Sequence, residues 1–171
     1  MNALITGGAG YIGSSVSNYL LDKGHQVTII DDLSTGSIKN IPKKATFHKF
    51  DISNRRKLNE IFNKKKYDIV FHFAALINNE ESIKYPKKYY ENNFTKGKIF
   101  IENCIKNKVN KFVYSSTAAV YGNKNKRVNE KDDLKPMSPY SKSKLKLEKF
   151  LIKKKKKYQM YYSKILQCSW F

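Results

Sequence analysis

Apolar and polar residues follow two different periods along the chain, and the switches between those periods outline its elements. Asn2–Thr6 is a short apolar run that ends in a glycine-rich turn. From Tyr11 to Lys23, apolar residues recur at Ile12, Val16, Tyr19 and Leu20, the spacing of one helix face. Gly24 then ends the helix, as a glycine does just past a C-terminus. Gln26–Asp31 is β-branched and reads as a second strand, 32–44 as a loop containing Gly36 and Pro42, and Thr46–Phe50 as a weaker third strand. Asn54–Lys65 is helical, with Leu58, Ile61 and Phe62 on one face. Asp68–Phe73 is a fourth strand, apolar from Ile69 onward, as in a strand buried on both faces. A long helix is expected from Tyr85 or Lys88 to Lys108, a fifth strand at Lys111–Ser116, a polar loop at 123–139 and a helix over Tyr140–Lys156. Strands separated by helices predict an α/β domain: a parallel sheet, wound on both faces, with right-handed crossovers.

Composition narrows the class further. The 171 residues, 40% of them apolar, suffice for one domain with a sizeable core. No apolar stretch is long enough to span a membrane. The chain enters a strand directly after Met1 with no basic and apolar leader, so a cytoplasmic protein is expected. The two cysteines, Cys104 and Cys168, match no metal spacing, and Cys104 reads as a small apolar helix residue. A net charge of +20 raises the question of nucleic acid. Only Arg55, Arg56 and Arg127 are arginines, however, and the lysines are spread along the whole chain among abundant Asn, Ile, Tyr and Phe. These residues share A- and T-rich codons, so the charge reads as compositional bias and no nucleic-acid partner is expected. The lysine run 153–157 reads as a solvated helix end.

Chemistry enters at the first turn. Thr6-Gly7-Gly8-Ala9-Gly10-Tyr11-Ile12-Gly13 lies between the first strand and the first helix, where a dinucleotide fingerprint belongs. Glycines there permit the tight turn, the close approach of backbone to pyrophosphate and the packing of helix on strand. The helix N-terminus offers free N–H groups to the phosphates. Asp31 ends the second strand near the ~20-residue spacing expected of a carboxylate that binds a ribose 2′-hydroxyl. Residues Asp32 to Ser37 include no Lys or Arg to hold a 2′-phosphate, so NAD is expected over NADP.

A second constellation lies downstream. Tyr140 and Lys144 are four residues apart at the start of a helix and so share a face. An ammonium there is expected to favour the ionised phenol and bring its pKa down toward the working range of a base. Ser115-Ser116-Thr117, at the end of the fifth strand, could place a hydroxyl on the same substrate oxygen.

With these motifs in order, the chain resembles the extended short-chain dehydrogenase/reductases, the NAD-dependent epimerase/dehydratase family. Within that family it is most similar to the UDP-glucose 4-epimerases. The matching stretches are Thr6–Gly13, Asp31–Gly36, Asp51-Ile52, Phe71–Ala75, Tyr89–Asn93, Ser115–Gly122 and Pro139–Lys144, in order and properly spaced up to about residue 155. The resemblance implies a Rossmann-like fold and a bound NAD. It places the cofactor against Gly7, Gly10, Tyr11, Ile12, Gly13, Asp31 and Asp32, with Asp51 and Ile52 at the adenine and Phe73, Ala74 and Ala75 after the fourth strand. It also places Asn92 of the long helix and Ser115 on the cofactor and Lys144 on the nicotinamide ribose. Thr117 would be the hydroxyl partner of the substrate, and Tyr140 the base, also in contact with the cofactor. Ala118 and Ala119 follow Thr117 where related dehydratases carry acids, which favours epimerisation at C4 of UDP-glucose or UDP-galactose through a transient 4-keto sugar. Another UDP-sugar epimerase or a decarboxylase of the family, and a non-catalytic NAD-binding fragment, are the alternatives. Relatives pair through helices corresponding to roughly residues 88–108 and 140–156, so a homodimer is expected.

The resemblance ends near residue 157. The expectation is an incomplete NAD-binding domain at 1–157, an aberrant tail at 158–171 and a missing substrate domain. Lys164–Phe171 can be back-translated so that a one-base shift reads Arg-Tyr-Phe-Asn-Val-Ala-Gly, a segment resembling the family's continuation. That points to a frameshift between about Lys153 and Tyr161.

Overall fold

A computed structural model describes residues 1–123, 128–158 and 161–167. Its strands are β1 (Asn2–Thr6), β2 (Gln26–Asp31), β3 (Thr46–Lys49), β4 (Ile69–His72), β5 (Lys111–Thr117) and β6 (Tyr161–Gln167). They form one sheet in the order β3-β2-β1-β4-β5-β6, and every pairing is parallel. The order reverses between β1 and β4, so a crevice opens at the carboxyl ends of these two neighbours, the place where ligands bind in open α/β sheets. Where the sequence reading closed the regular fold at residue 157, Tyr161–Gln167 pairs in register along the whole of β5, from Lys111↔Tyr161 to Thr117↔Gln167. Cys168 and the rest of the expected tail, Arg127, and most of the polar loop's tip lie outside the described residues.

The helices are α1 (Tyr11–Asp22), α2 (Arg55–Lys64), α3 (Asn79–Lys84), α4 (Pro86–Tyr89), α5 (Gly97–Lys106) and α6 (Pro139–Tyr158). The expected long helix is thus α4 and α5 joined by a π-helical segment, Tyr90–Lys96. Successive side chains of a strand point to opposite faces, and the two faces bury different sets. Leu4, Ile30, Val70, Phe112 and Tyr114 pack with Leu58, Ile61 and Phe62 of α2, Phe100, Ile101 and Cys104 of α5, and Leu147 and Leu151 of α6. Ala3, Ile5, Val27 and Ile29 pack with Leu20 of α1.

Two details depart from the apolar pattern. α1 buries Gly13, Ser17 and Leu20, whereas Tyr19 is 62% exposed. Small residues let this helix lie close to the sheet, and the larger Tyr19 is turned to solvent. β4 is buried on one face only: Val70 and His72 are covered, Ile69 and Phe71 partly so. The reason is topological. α1 packs on β1 and β2, while α2, α5 and α6 gather on the other face, so among the described helices none covers the α1 side of β4. Among the described residues no helix is long and apolar enough to cross a membrane.

Candidate functional site

The glycine loop is shaped by contacts that tolerate no side chain. Gly7 has φ +74, and a Cβ on it would lie 2.5 Å from the Ala74 nitrogen in the loop just past β4. A Cβ on Gly13 would lie 2.2 Å from the Gly7 carbonyl oxygen. The loop therefore folds back on itself, and α1 starts directly over the crevice with Gly10 as its N-cap. That cap has no side-chain hydrogen bond, which leaves the first N–H groups of α1 directed at the cleft as anion donors.

Asp31 fastens this loop. Its Oδ2 accepts the Ala9 N–H at 3.0 Å and its Oδ1 accepts the Leu33 N–H at 2.8 Å. Each oxygen keeps lone-pair capacity for a further donor. Asp31 thus ties β2 to the glycine turn while facing the cleft. Leu33 adopts a left-handed conformation, φ 63, in the turn that Asp31 holds.

On the other side of the crevice, the Thr6 hydroxyl accepts the Ala74 N–H at 3.4 Å and lies 2.7 Å from His72 Nδ1. The hydroxyl and the ring nitrogen thus share a buried hydrogen bond. Burial, with Lys144 as a lesser cause, pushes His72 down to about 3 and keeps the ring neutral. The ring is stacked against Phe100 and Tyr114 at 5.3 and 5.8 Å.

Around these anchors lies a cleft of ≈ 340 Å³, within the range of small-ligand sites. It is lined by Gly7, Gly10, Tyr11, Ile12, Gly13, Asp31, Asp32, Asp51, Ile52, Phe73, Ala74, Ala75, Asn92 and Ser115, so all the residues expected at a dinucleotide apart from Tyr140 and Lys144 converge on it. Ser34, Thr35, Gly36, Leu76, Glu81 and Tyr89 line it too, and sequence reasoning missed them as site residues. Asp51 accepts from Ser53 N and Oγ at 2.8 and 2.6 Å and pairs with Lys96. Burial pushes its carboxyl up, but the Lys96 and Ser53 hydrogen bonds outweigh burial and hold it below its ordinary value.

Thr117, Tyr140 and Lys144 do not line this cleft; they stand beside it. Tyr140 packs edge-on against Tyr89, a lining residue, with ring centres 6.5 Å apart. Tyr89 in turn donates its hydroxyl to Glu81 Oε2 at 2.7 Å. Burial pushes the Tyr140 phenol above its ordinary pKa, and a hydrogen bond with the Thr117 hydroxyl draws it back. The expectation that Lys144 brings the phenol down therefore needs correction. The Lys144 ammonium lies over the Tyr114 ring, 4.6 Å from its centre, and burial pulls Lys144 itself down to about 7. The three hydroxyls of β5 also divide. Ser115 faces the cleft, Thr117 meets Tyr140, and Ser116 between them donates to Glu148 Oε2 at 2.7 Å on α6.

Asn93, one residue after the expected Asn92, braces the site. Its Oδ1 accepts the Leu76 N–H at 2.8 Å, and its Nδ2 donates to the Leu76 carbonyl at 2.9 Å and to Ser143 Oγ at 3.2 Å. It thereby ties the loop after β4 to α6. It sits in the π-helical segment, where the extra residue per turn directs both Asn92 and Asn93 to the site; such segments concentrate at functional sites. Among the described residues no group of three or more His, Cys, Asp or Glu side chains is placed to hold a metal ion.

A parallel sheet with the β3-β2-β1-β4-β5-β6 order, a glycine turn at its switch point and a Thr–Tyr–Lys group beside the crevice define a nucleotide-cofactor domain of the short-chain dehydrogenase type. The sequence profile of the NAD dependent epimerase/dehydratase family matches residues 3–170, and the chain belongs to that family. The UDP-glucose 4-epimerase of Lacticaseibacillus casei is 40% identical over 153 residues, 88% of this chain and 46% of its own length. The UDP-Glc/GlcNAc 4-epimerase of Campylobacter jejuni superposes with a TM-score of 0.91 at 36% identity, over 96% of this chain and 52% of the other. The UDP-glucose 4-epimerase of Thermus thermophilus, solved with NAD, gives a TM-score of 0.91 at 32% identity, over 96% of this chain and 54% of the other. The chain spans about half the length of the relatives it matches.

Proposed function

We propose that the chain binds NAD in the cleft at the β1–β4 switch point and that this half carries the acid–base group for epimerising UDP-glucose and UDP-galactose at C4. The observation that carries the reading is the convergence of the glycine turn, the Asp31 latch and Asn92 on one cleft, with Tyr140 and Thr117 at its side. The residues fit the group. The uncapped start of α1 suits a pyrophosphate, and the glycine turn leaves no Cβ to keep it away. Asp31 suits a ribose diol, and no cation follows it before Lys39 to favour a 2′-phosphate. When bound, NAD supplies a reversible hydride acceptor at the sugar carbon.

The chain's own residues would do the rest. Tyr140 takes the proton of the sugar hydroxyl at its phenol oxygen and later returns it. Thr117, hydrogen-bonded to Tyr140, holds the same hydroxyl in line. The phenol starts above its ordinary pKa, so its ionisation depends on added positive charge, which the nicotinamide ring of a bound cofactor, together with Lys144 four residues along the helix, would supply. Another UDP-sugar epimerase or a decarboxylase would use the same group. A cofactor-binding half without turnover is the second reading, favoured by the chain's spanning about half of its relatives.

Calorimetric titration of the full chain with NAD and NADP tests the cofactor. NAD is expected to bind at least tenfold more tightly. Equal affinities, or no binding of either, defeat the reading. Product analysis on UDP-glucose and UDP-glucuronate then tests the chemistry. Tyr140→Phe should keep NAD affinity and lose turnover by roughly 10²-fold or more, the usual contribution of general acid–base catalysis. NAD binding without turnover in the wild-type chain selects the second reading.

A further inference from the structure

Lys144 is 3% exposed and carries the charge on which the proposed base depends. A buried ammonium loses its proton unless something offsets the lost hydration. The Tyr114 ring beneath it offers a π face at 4.6 Å. The Tyr114 hydroxyl donates to the Lys144 carbonyl at 3.2 Å, which fixes this turn of α6 against β5. One turn further along the same helix, Glu148 is also almost fully buried, at 5% exposure. A buried carboxylate is as unfavourable as a buried ammonium unless paired or hydrogen-bonded. Ser116, wholly buried, donates to Glu148 Oε2 at 2.7 Å. The i, i+4 spacing puts Lys144 and Glu148 on one helix face, the face that covers β5.

We infer that Glu148 is a positioning residue: oriented by Ser116, it is the counter-charge that keeps the buried Lys144 ammonium charged, one helical turn from Tyr140. This rests on the proposed roles of Tyr140 and Lys144, but its electrostatic core is independent of any turnover. The titratable groups that face Lys144 are Glu148 of α6, Tyr114 of β5 and His72 of β4, and Tyr140 stands one turn earlier on the same helix. Glu148 is the one carboxyl group among them; burial keeps His72 neutral at neutral pH, and Tyr140 and Tyr114 are phenols. Consistently, burial lowers the Lys144 pKa and the Glu148 carboxylate raises it. The middle hydroxyl of Ser115-Ser116-Thr117 thereby acquires a use, since it holds the carboxylate from behind while its neighbours face the cofactor cleft and the base.

The test is the titration of Lys144 in the full chain without cofactor, followed by NMR in lysine labelled at Cε and Nζ and assigned by Lys144→Arg. Glu148→Gln is nearly isosteric and still accepts the Ser116 hydrogen bond. It should lower the Lys144 midpoint by about one pH unit or more, the effect expected from removing a nearby opposite charge in a buried site. Ser116→Ala keeps the carboxylate and frees its orientation, and should lower the midpoint by less. In parallel, NAD affinity of Glu148→Gln should converge on wild type as pH falls below both Lys144 midpoints and be severalfold weaker near pH 7, between them. An unchanged or raised midpoint in Glu148→Gln overturns the inference. If that variant does not fold, the Ser116→Ala midpoint decides alone, and no downward movement overturns it. Should wild type itself bind no NAD, the proposed function fails while the Lys144 titration still answers this question.

Discussion

A second proton on His72 would put an ionised imidazole where water cannot reach it. The ring is 2% exposed, its Nδ1 lies 2.7 Å from the Thr6 hydroxyl, and aromatic rings flank it. The folded-state value near 3 lies below the ordinary 6.5. For a group depressed in this way, the stabilisation is complete above pH 6.5 and is lost as pH falls toward 3. The full effect is roughly 4–5 kcal/mol by linkage. Asp51 and Glu81, also depressed, act only below their ordinary values of 3.8 and 4.5, so the window from 4.5 to 6.5 belongs to histidine. His48 is lowered as well, by burial and then by Lys64, and serves as the control. Urea melts across this window should show stability falling with acid. His72→Asn, which keeps a polar partner for Thr6 at the Nδ1 position without titrating, should flatten the slope, and His48→Gln should flatten it far less. Equal slopes in wild type and His72→Asn would refute the assignment. At this scale, the residues legible in the sequence were those whose role is local. The glycines of the turn and Asp31 at a strand end could be placed by spacing alone. Asn93, Tyr89, Glu81 and Glu148 could not, because their roles come from partners many residues away: Leu76 and Ser143, Glu81 and Tyr140, Ser116.

The helices show what a local signal can and cannot carry. α1 and α5 end in the same hydrogen-bonded motif. After α1, Gly24 N–H reaches the Leu21 carbonyl and His25 N–H the Leu20 carbonyl. After α5, Lys108 N–H reaches the Ile105 carbonyl and Val109 N–H the Cys104 carbonyl. Both central residues are left-handed, with φ +75 at Gly24 and φ 56 at Lys108. Glycine adopts that conformation freely, whereas a residue with a Cβ incurs roughly 1–2 kcal/mol. Lys108→Gly should therefore stabilise the chain by about 1 kcal/mol, part of the gain being offset by a more flexible unfolded state. That corresponds to a thermal midpoint about 2–4 °C higher for a chain of this size. The mirror experiment is Gly24→Ala, where a Cβ meets nothing within 4 Å and the cost is conformational alone. A lower midpoint for Lys108→Gly would show that the lysine side chain matters more than its backbone. Gly24 was readable as a helix stop because its residue type announces the turn; the stop at Lys108 had no such marker. The π-helical segment was equally silent. Its residues continue a helical pattern, and only the packing of Asn93 into the loop after β4 and against α6 gives the extra residue a purpose.

Two properties of the whole molecule oppose each other. On the α1 side of the sheet, Ile69 and Phe71 of β4 and Val113 of β5 are only partly covered, and Phe71 and Val113 are neighbours in register. Parallel sheets usually bury both faces, so this is an apolar patch open to association. The formal net charge of +20 holds copies apart. That repulsion reaches about 10 Å at 0.1 M salt and about 3 Å at 1 M, whereas apolar attraction survives or strengthens with salt. The chain should therefore sediment as a monomer at low ionic strength, and self-association should grow as salt is added. Phe71→Thr puts another strand-favouring residue at this position while removing the aromatic ring of the patch, and it should suppress the salt-induced association and lower the fluorescence of a bound apolar dye. If association is instead strongest at low salt, or if Phe71→Thr associates as wild type does, the contact lies elsewhere. The face of α4, α5 and α6 would then be the next candidate, since lysines 146, 98 and 154 lie over Phe94 and Phe150 at 4.4 to 5.8 Å and present both charge and aromatic surface. The sequence made the charge visible at once. The open face was not visible, because a run of apolar residues on β4 reads the same whether one side or both are covered; only the gathering of α2, α5 and α6 on the face opposite α1 distinguishes them.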